Sequence, residues 1–171
     1  MGYILSHCTP PIQVSIVPRG EAALGFSQQE ADDKKIYSKQ NILAKVAVLL
    51  GGRVAEEIYC QNLSTGAADD LEKISTLLYR YSCYWGMNKK IGPLNLDMMR
   101  EIGKSQTKKV FSHCKHLAEK QEDFVRKTLL KHSKYVEAIA KELLKKETIH
   151  QKNINNILPQ SLKNTLEPPV V

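Results

Sequence analysis

No run in the sequence approaches the roughly twenty apolar residues of a membrane-spanning helix. The N-terminal segment Met1 to Pro11 has neither a basic leader nor an apolar stretch long enough for a signal peptide. The chain is therefore expected to be soluble by itself. The four cysteines, Cys8, Cys60, Cys83 and Cys114, lie far apart and none belongs to a CxxC pair, which excludes a zinc knuckle and a dithiol redox motif. Neither GxxxxGK[ST] nor GxGxxG occurs, so no phosphate loop or dinucleotide fingerprint is present. Aromatic residues make up only 6% of the chain. They are not interleaved with the lysines between Lys104 and Lys146 as a base-stacking platform requires. Those lysines read as a solvated helix face, and a nucleic-acid partner is not expected despite the net charge of +7.

The chain does have enough apolar residues for a core, 42% of its 171 positions. Ile12 to Val17 alternates in polarity and is closed by Pro18-Arg19-Gly20. Ala23 to Gln28 forms a second extended run, so the pair predicts a small antiparallel β element. Ser38 is a natural N-cap for a helix whose stripe is Ile42, Leu43, Val46, Leu49, Leu50, Val54 and Ile58. Gly51-Gly52 interrupts that helix at a cost of about 1 kcal/mol each, which suggests close approach of the helix of Leu71 to Tyr81 at Gly51 or Gly52, with a kink as the alternative. That second helix follows the capping hydroxyls of Ser64 and Thr65, has Asp69, Asp70 and Glu72 in its first turn, and ends at Gly86. After a loop from Asn88 to Asp97, the stripes Val110, Cys114, Leu117, Phe124, Leu129, Leu130 and Tyr135, Ile139, Leu143, Leu144 predict two helices. Their joint is Lys131-His132-Ser133. Residues 159–171, with proline at both ends and little periodicity, are expected to form a flexible tail. The fold class is mainly α with a small N-terminal antiparallel β element.

Composition alone discloses no function. The ordered strings do: VSIVPRG at Val14 to Gly20, ALGF at Ala23 to Phe26, AVLLGGRVAEEI at Ala47 to Ile58, STGA at Ser64 to Ala67 followed by Asp70-Leu71-Glu72, and Gly86-Met87 leading to Ile91-Gly92-Pro93-Leu94. In this order and spacing they resemble the peptidase domain of FtsH-type AAA+ ATP-dependent zinc metalloproteases. The resemblance covers about residues 10–158 and is closest through Leu94, while Arg100 to Ser112 looks like a basic insertion. Residues 1–158 are thus expected to be an FtsH-like peptidase domain lacking the helix that bears the family's HExxH motif, which occurs nowhere in the sequence.

The resemblance implies a function and a site. In such proteases two histidines one turn apart bind zinc and the intervening glutamate is the general base. None of these three has a match here, so no catalytic residue is assigned and the chain by itself is expected to be inactive and to hold zinc weakly. The third zinc ligand, an aspartate after the STGA turn, matches Asp70. First-turn acids also complement the helix dipole without binding anything, and that bland role is the alternative for Asp70. Glu56 and Glu57 are candidates for hydrogen bonds to metal-bound groups. Ala23, Leu24, Gly25 and Phe26 would supply the edge strand beside which an extended substrate lies. His113, Cys114 and His116 have no third ligand near in sequence and read as polar helix positions.

At the level of partners, the resemblance implies unfolded or membrane-extracted polypeptide substrates, a homo- or hetero-hexamer, and an AAA+ ATPase domain upstream through which alone ATP would act. It also implies association with a bacterial inner membrane or an organelle membrane. The rival reading is a non-catalytic pseudoprotease or assembly subunit that keeps the fold and ring interface without zinc chemistry.

Overall fold

The computed structural model describes residues 1–18, 25–30, 35–99 and 103–170. In chain order the elements are strands β1 (Pro11–Ser15) and β2 (Phe26–Gln29), helices α1 (Lys39–Cys60), α2 (Ala68–Tyr79), α3 (Lys104–Lys131) and α4 (Ser133–Lys146), strand β3 (Thr148–His150) and helix α5 (Gln151–Ile157). Five helices and a three-stranded sheet match the mainly α class read from the sequence. Two compact units divide the chain: residues 1–36 with 128–167, and residues 37–127 with 168–171.

The first unit is built on an antiparallel sheet of order β2-β1-β3. Val14 lies opposite Ser27 on one side and Ile149 on the other. Ile149 is fully buried in a cluster with Tyr3, Ile4, Ile154 and Leu158, against which Val14, Tyr135, Ile139 and Leu143 pack. β3 was not anticipated from the sequence, which reads as helical there. Glu147, at a positive φ of 57°, ends α4. Its carbonyl then accepts from the Ile16 amide at 2.9 Å, and the Ser15 and Thr148 hydroxyls meet at 2.8 Å. Three residues are enough for a strand when central β1 is waiting for them.

The sequence left residues 159–171 as a flexible tail, and the described part of that segment is instead docked. Asn164 and Thr165 amides donate to the carbonyls of Tyr3 and Ile4, and the Ser6 amide donates to the Leu166 carbonyl, so Leu5 and Leu166 form a parallel bridge. Pairing with the N-terminal segment satisfies a backbone that has no helical or strand period of its own.

In the second unit, Ser38 and Asn41 form a reciprocal capping box that starts α1. Ile42, Leu43, Val46, Leu50 and Val54 of the anticipated stripe are buried. α1 packs on α2, which buries Ile74 and Leu78. α2 continues into one wide turn, Arg80–Tyr84, closed by the Trp85 amide on the Arg80 carbonyl at 2.8 Å. That π turn places Tyr81, Ser82 and Cys83 in the interior before Gly86, at φ 57°, reverses the chain against Pro93. On α3, Leu117 and Val125 are buried, and Gln121 is held inside by donating to the Pro169 carbonyl at 2.8 Å.

The glycine pair does not act as the sequence suggested at Gly52. That residue is exposed, and a Cβ there would meet nothing within 4 Å. Gly25 is the opposite case, since a Cβ would fall 2.8 Å from the Ser15 carbonyl oxygen where β2 begins beside β1. Gly52→Ala is expected to stabilise the protein by about 0.5–1 kcal/mol through the helix backbone, and Gly25→Ala to destabilise it by about 1–3 kcal/mol through overpacking. Urea denaturation of the two variants checks both signs.

Candidate metal centre

Glu56 and Glu57 occupy consecutive positions at the end of α1, so their side chains leave the helix about 100° apart and reach different partners. The Ser64 hydroxyl and, after it, the Ser64 amide hold the Glu56 carboxyl below the usual range, with a smaller contribution from Arg53. The Ser64 Oγ in turn accepts from the Gly66 amide at 3.1 Å. The Ser64 cap starts the tight turn Thr65–Ala67, which buries Ala67 and feeds directly into α2. α2 itself begins without a side-chain cap, and the direction of its first turn follows from this turn.

That first turn presents Asp69 and Asp70. Asp69 takes Lys73, one turn on, as an ion pair at 2.5 Å. Asp70 is half-buried and, among the described residues, no side chain hydrogen-bonds to its carboxylate. Burial pushes the Asp70 carboxyl up and the neighbouring Asp69 adds to the rise, while Lys73 opposes it.

Glu57 receives the Arg126 guanidinium at 2.8 Å, and Arg126 also reaches Glu122 at 3.3 Å. The hydrogen bond from Arg126 holds Glu57 below the ordinary carboxylate range. Of the two acids paired in the sequence reading, one thus braces the turn ahead of Asp70 and the other ties α1 to α3. Arg126 had no distinguishing signal among the many cations of α3, whereas Ser64 was legible as a capping hydroxyl.

The remaining sequence candidates are dispersed. His7 faces Glu167 at 3.7 Å. Cys114 points its thiol at the Leu78 carbonyl and the Ser82 hydroxyl. Among the described residues, no three His, Cys, Asp or Glu side chains are grouped as a metal site. Gly25 precedes β2 and Phe26 opens it, on a strand at the edge of the sheet. Ala23 and Leu24 lie outside the described residues.

The sequence pattern of peptidase family M41 matches residues 1–157. The chain belongs to that family. It is 35% identical over 98% of its length to the ATP-dependent zinc metalloprotease FTSH 3, mitochondrial, of Oryza sativa subsp. japonica, covering 22% of that protein. It is 31% identical over 93% of its length to the ATP-dependent zinc metalloprotease FtsH of Pseudothermotoga lettingae, covering 28% of it. With the mitochondrial inner membrane m-AAA protease component AFG3L2 of Mus musculus it shares 34% identity over 97% of its length and covers 22% of that protein. The chain thus spans about a quarter of the length of these relatives. Among the described residues, no helix of this M41 chain is long and apolar enough to cross a membrane.

The opposite shifts of Asp70 and Glu57 give a pH test. Asp70 has a raised folded value, so its ionisation costs stability, a cost absent in acid and complete once pH exceeds that value. Asp70→Asn is therefore expected to raise the urea midpoint at neutral pH, with the gain vanishing in acid. Glu57 has a depressed folded value, so its contribution is present above the ordinary value and is lost as pH falls through the folded one. Glu57→Gln is expected to lower the midpoint at neutral pH and to match the parent in acid.

Proposed function

We propose that this chain forms the peptidase part of an ATP-dependent zinc metalloendopeptidase that degrades unfolded or membrane-extracted proteins, with Asp70 as its one zinc ligand. The observation that carries the reading is the Asp70 carboxylate, kept half-buried and without a hydrogen-bonding side chain at the position matching the family's ligand aspartate. A carboxylate held ionised at a cost to the fold is what a ligand site requires and what a dipole-capping acid does not. Asp70 alone does not fit zinc, which takes three protein ligands in catalytic sites, so no hydrolytic step is assigned to these residues. The two histidines and the general base would come from an HExxH segment, as in the family. Glu56 serves as a positioning residue, acting through the Ser64 turn. Extended substrate would lie beside β2, the end strand of the described sheet, in a mode whose backbone hydrogen bonds tolerate many sequences, as a quality-control protease needs. Assembly into a hexamer with an AAA+ ATPase domain completes the reading.

The rival reading is a pseudoprotease or assembly subunit that keeps the fold and ring interface without zinc chemistry. The two are separated by adding the motif. The chain alone, given zinc, is expected to leave casein undigested. In a version carrying HExxH ahead of Met1, peptidase activity is expected to appear. There Asp70→Asn should reduce zinc occupancy, measured by atomic absorption, and peptidase activity by at least about tenfold without unfolding the protein. Glu56→Ala should cost roughly tenfold to a hundredfold, as loss of an outer support does. Full activity of the Asp70→Asn variant would refute the ligand assignment, and an inert HExxH-bearing version would favour the pseudoprotease.

A further inference from the structure

The π turn at the end of α2 has an outward side that the peptidase reading leaves unused. Tyr84 and Trp85 leave it exposed, their rings edge to face with centroids 6.4 Å apart. The loop that follows is fastened to the same turn. Gly86 abuts Pro93 and Leu94, and the Tyr79 hydroxyl donates to the Asp97 carboxylate. The short helical turn Leu96–Met98 packs on Arg80–Tyr84. α3 joins them through Cys114, whose thiol donates to the Leu78 carbonyl and the Ser82 hydroxyl. Phe111 lies one turn before Cys114 on that helix.

Large apolar side chains protrude from this assembly: Leu94, Met98 at 78% exposure, Met99 and Phe111 at 71%. Such a concentration on one surface marks an interaction site rather than scattered exposure. Its charge is equally uneven. Residues 79–118 hold eight Lys and Arg against two Asp and Glu, and so carry six of the seven net positive charges of the chain. Lys89, Lys90, Lys104, Lys108 and Lys109 are exposed, and none pairs with an acid among the described residues. Lys104, Lys108 and Phe111 recur at i, i+4 and i+7, on one face of α3.

We propose that this surface docks on an anionic lipid bilayer, with Trp85, Leu94, Met98, Met99 and Phe111 entering the interface and the surrounding lysines meeting acidic headgroups. The chemistry selects that occupant. Unpaired lysines call for a negatively charged partner, since each contributes attraction only where anions are dense. Protruding methionine, leucine and phenylalanine gain by insertion to the acyl boundary, with tryptophan and tyrosine at headgroup depth. Single-stranded nucleic acid would want stacked aromatic faces, which methionine and leucine do not offer. The docking is peripheral, and it stands whether or not the peptidase reading holds.

Trp85 is the only tryptophan of the chain, so its fluorescence reports on the surface directly. Adding vesicles of phosphatidylcholine with phosphatidylserine at low salt is expected to shift Trp85 emission to the blue and to sediment the chain, while pure phosphatidylcholine vesicles do neither. Added salt should release it. Lys108→Ala and Lys109→Ala are expected to weaken partitioning roughly fivefold each, and Met98→Ser and Phe111→Ser about tenfold each, with far-UV circular dichroism unchanged. All four positions are exposed, so these variants test docking rather than folding. Unchanged emission with the anionic vesicles, or equal binding to the neutral ones, would overturn the proposal. So would a shift produced by polyglutamate or by RNA but not by vesicles, which would assign the surface to that partner.

Discussion

The second unit depends on the turn that Ser64 begins. The Ser64 hydroxyl fixes the amide of Gly66, and the same residue lowers the Glu56 carboxyl at the end of α1. Without this turn the six residues Gln61 to Gly66 would have to be ordered by packing alone, and all of them are exposed. Ala67 would lose its seat, and α2 would lose the angle that sets Ile74 and Leu78 against α1. The same turn aims the head of α2, so the direction of Asp70 is set in the short stretch between the end of α1 and the start of α2.

The acids of this unit divide by what the fold does to them. Glu56 and Glu57 have donors supplied and are held low, and they stabilise the structure they sit in. Asp70 has none among the described side chains and is held high. Natural proteins accept such local conflict where a site is to be kept ready for something else. The contrast lies in neighbours rather than residue type, because all three are carboxylates on amphipathic helices within a few turns of one another.

Legibility from the sequence followed the range of the interactions. α1 could be read from its stripe and from Ser38, because both signals repeat within a few residues. The joint at Lys131 to Ser133 was readable for the same reason. β3 was not: its hydroxyl contact from Thr148 to Ser15 crosses 133 positions, and three residues carry no period. The docking of the segment up to Leu166 was not legible because Leu162 and Leu166 follow no helical or strand spacing, and the hydrogen bonds of residues 164–166 go to Tyr3, Ile4 and Ser6. At the site, Asp70 stood out only through family resemblance, since an acid in a first turn is commonplace. Arg126 was hidden among equivalent cations until α1 and α3 were seen together.

The bridge between Leu5 and Leu166 has a consequence for how the chain comes into being. The first unit is assembled from two segments far apart in the chain, residues 1–36 and 128–167, and its central strand must wait for a partner made more than a hundred residues later. The second unit is almost continuous in sequence and rich in local contacts, which form quickly. During translation its helices can settle while Pro11 to Ser15 remains without β3, a bare strand open to unwanted pairing. Until Thr148 to His150 have been made, the sheet is a pair of strands with its central member uncovered on one side, and that interval is the stage of folding at which this unit is most exposed to wrong partners.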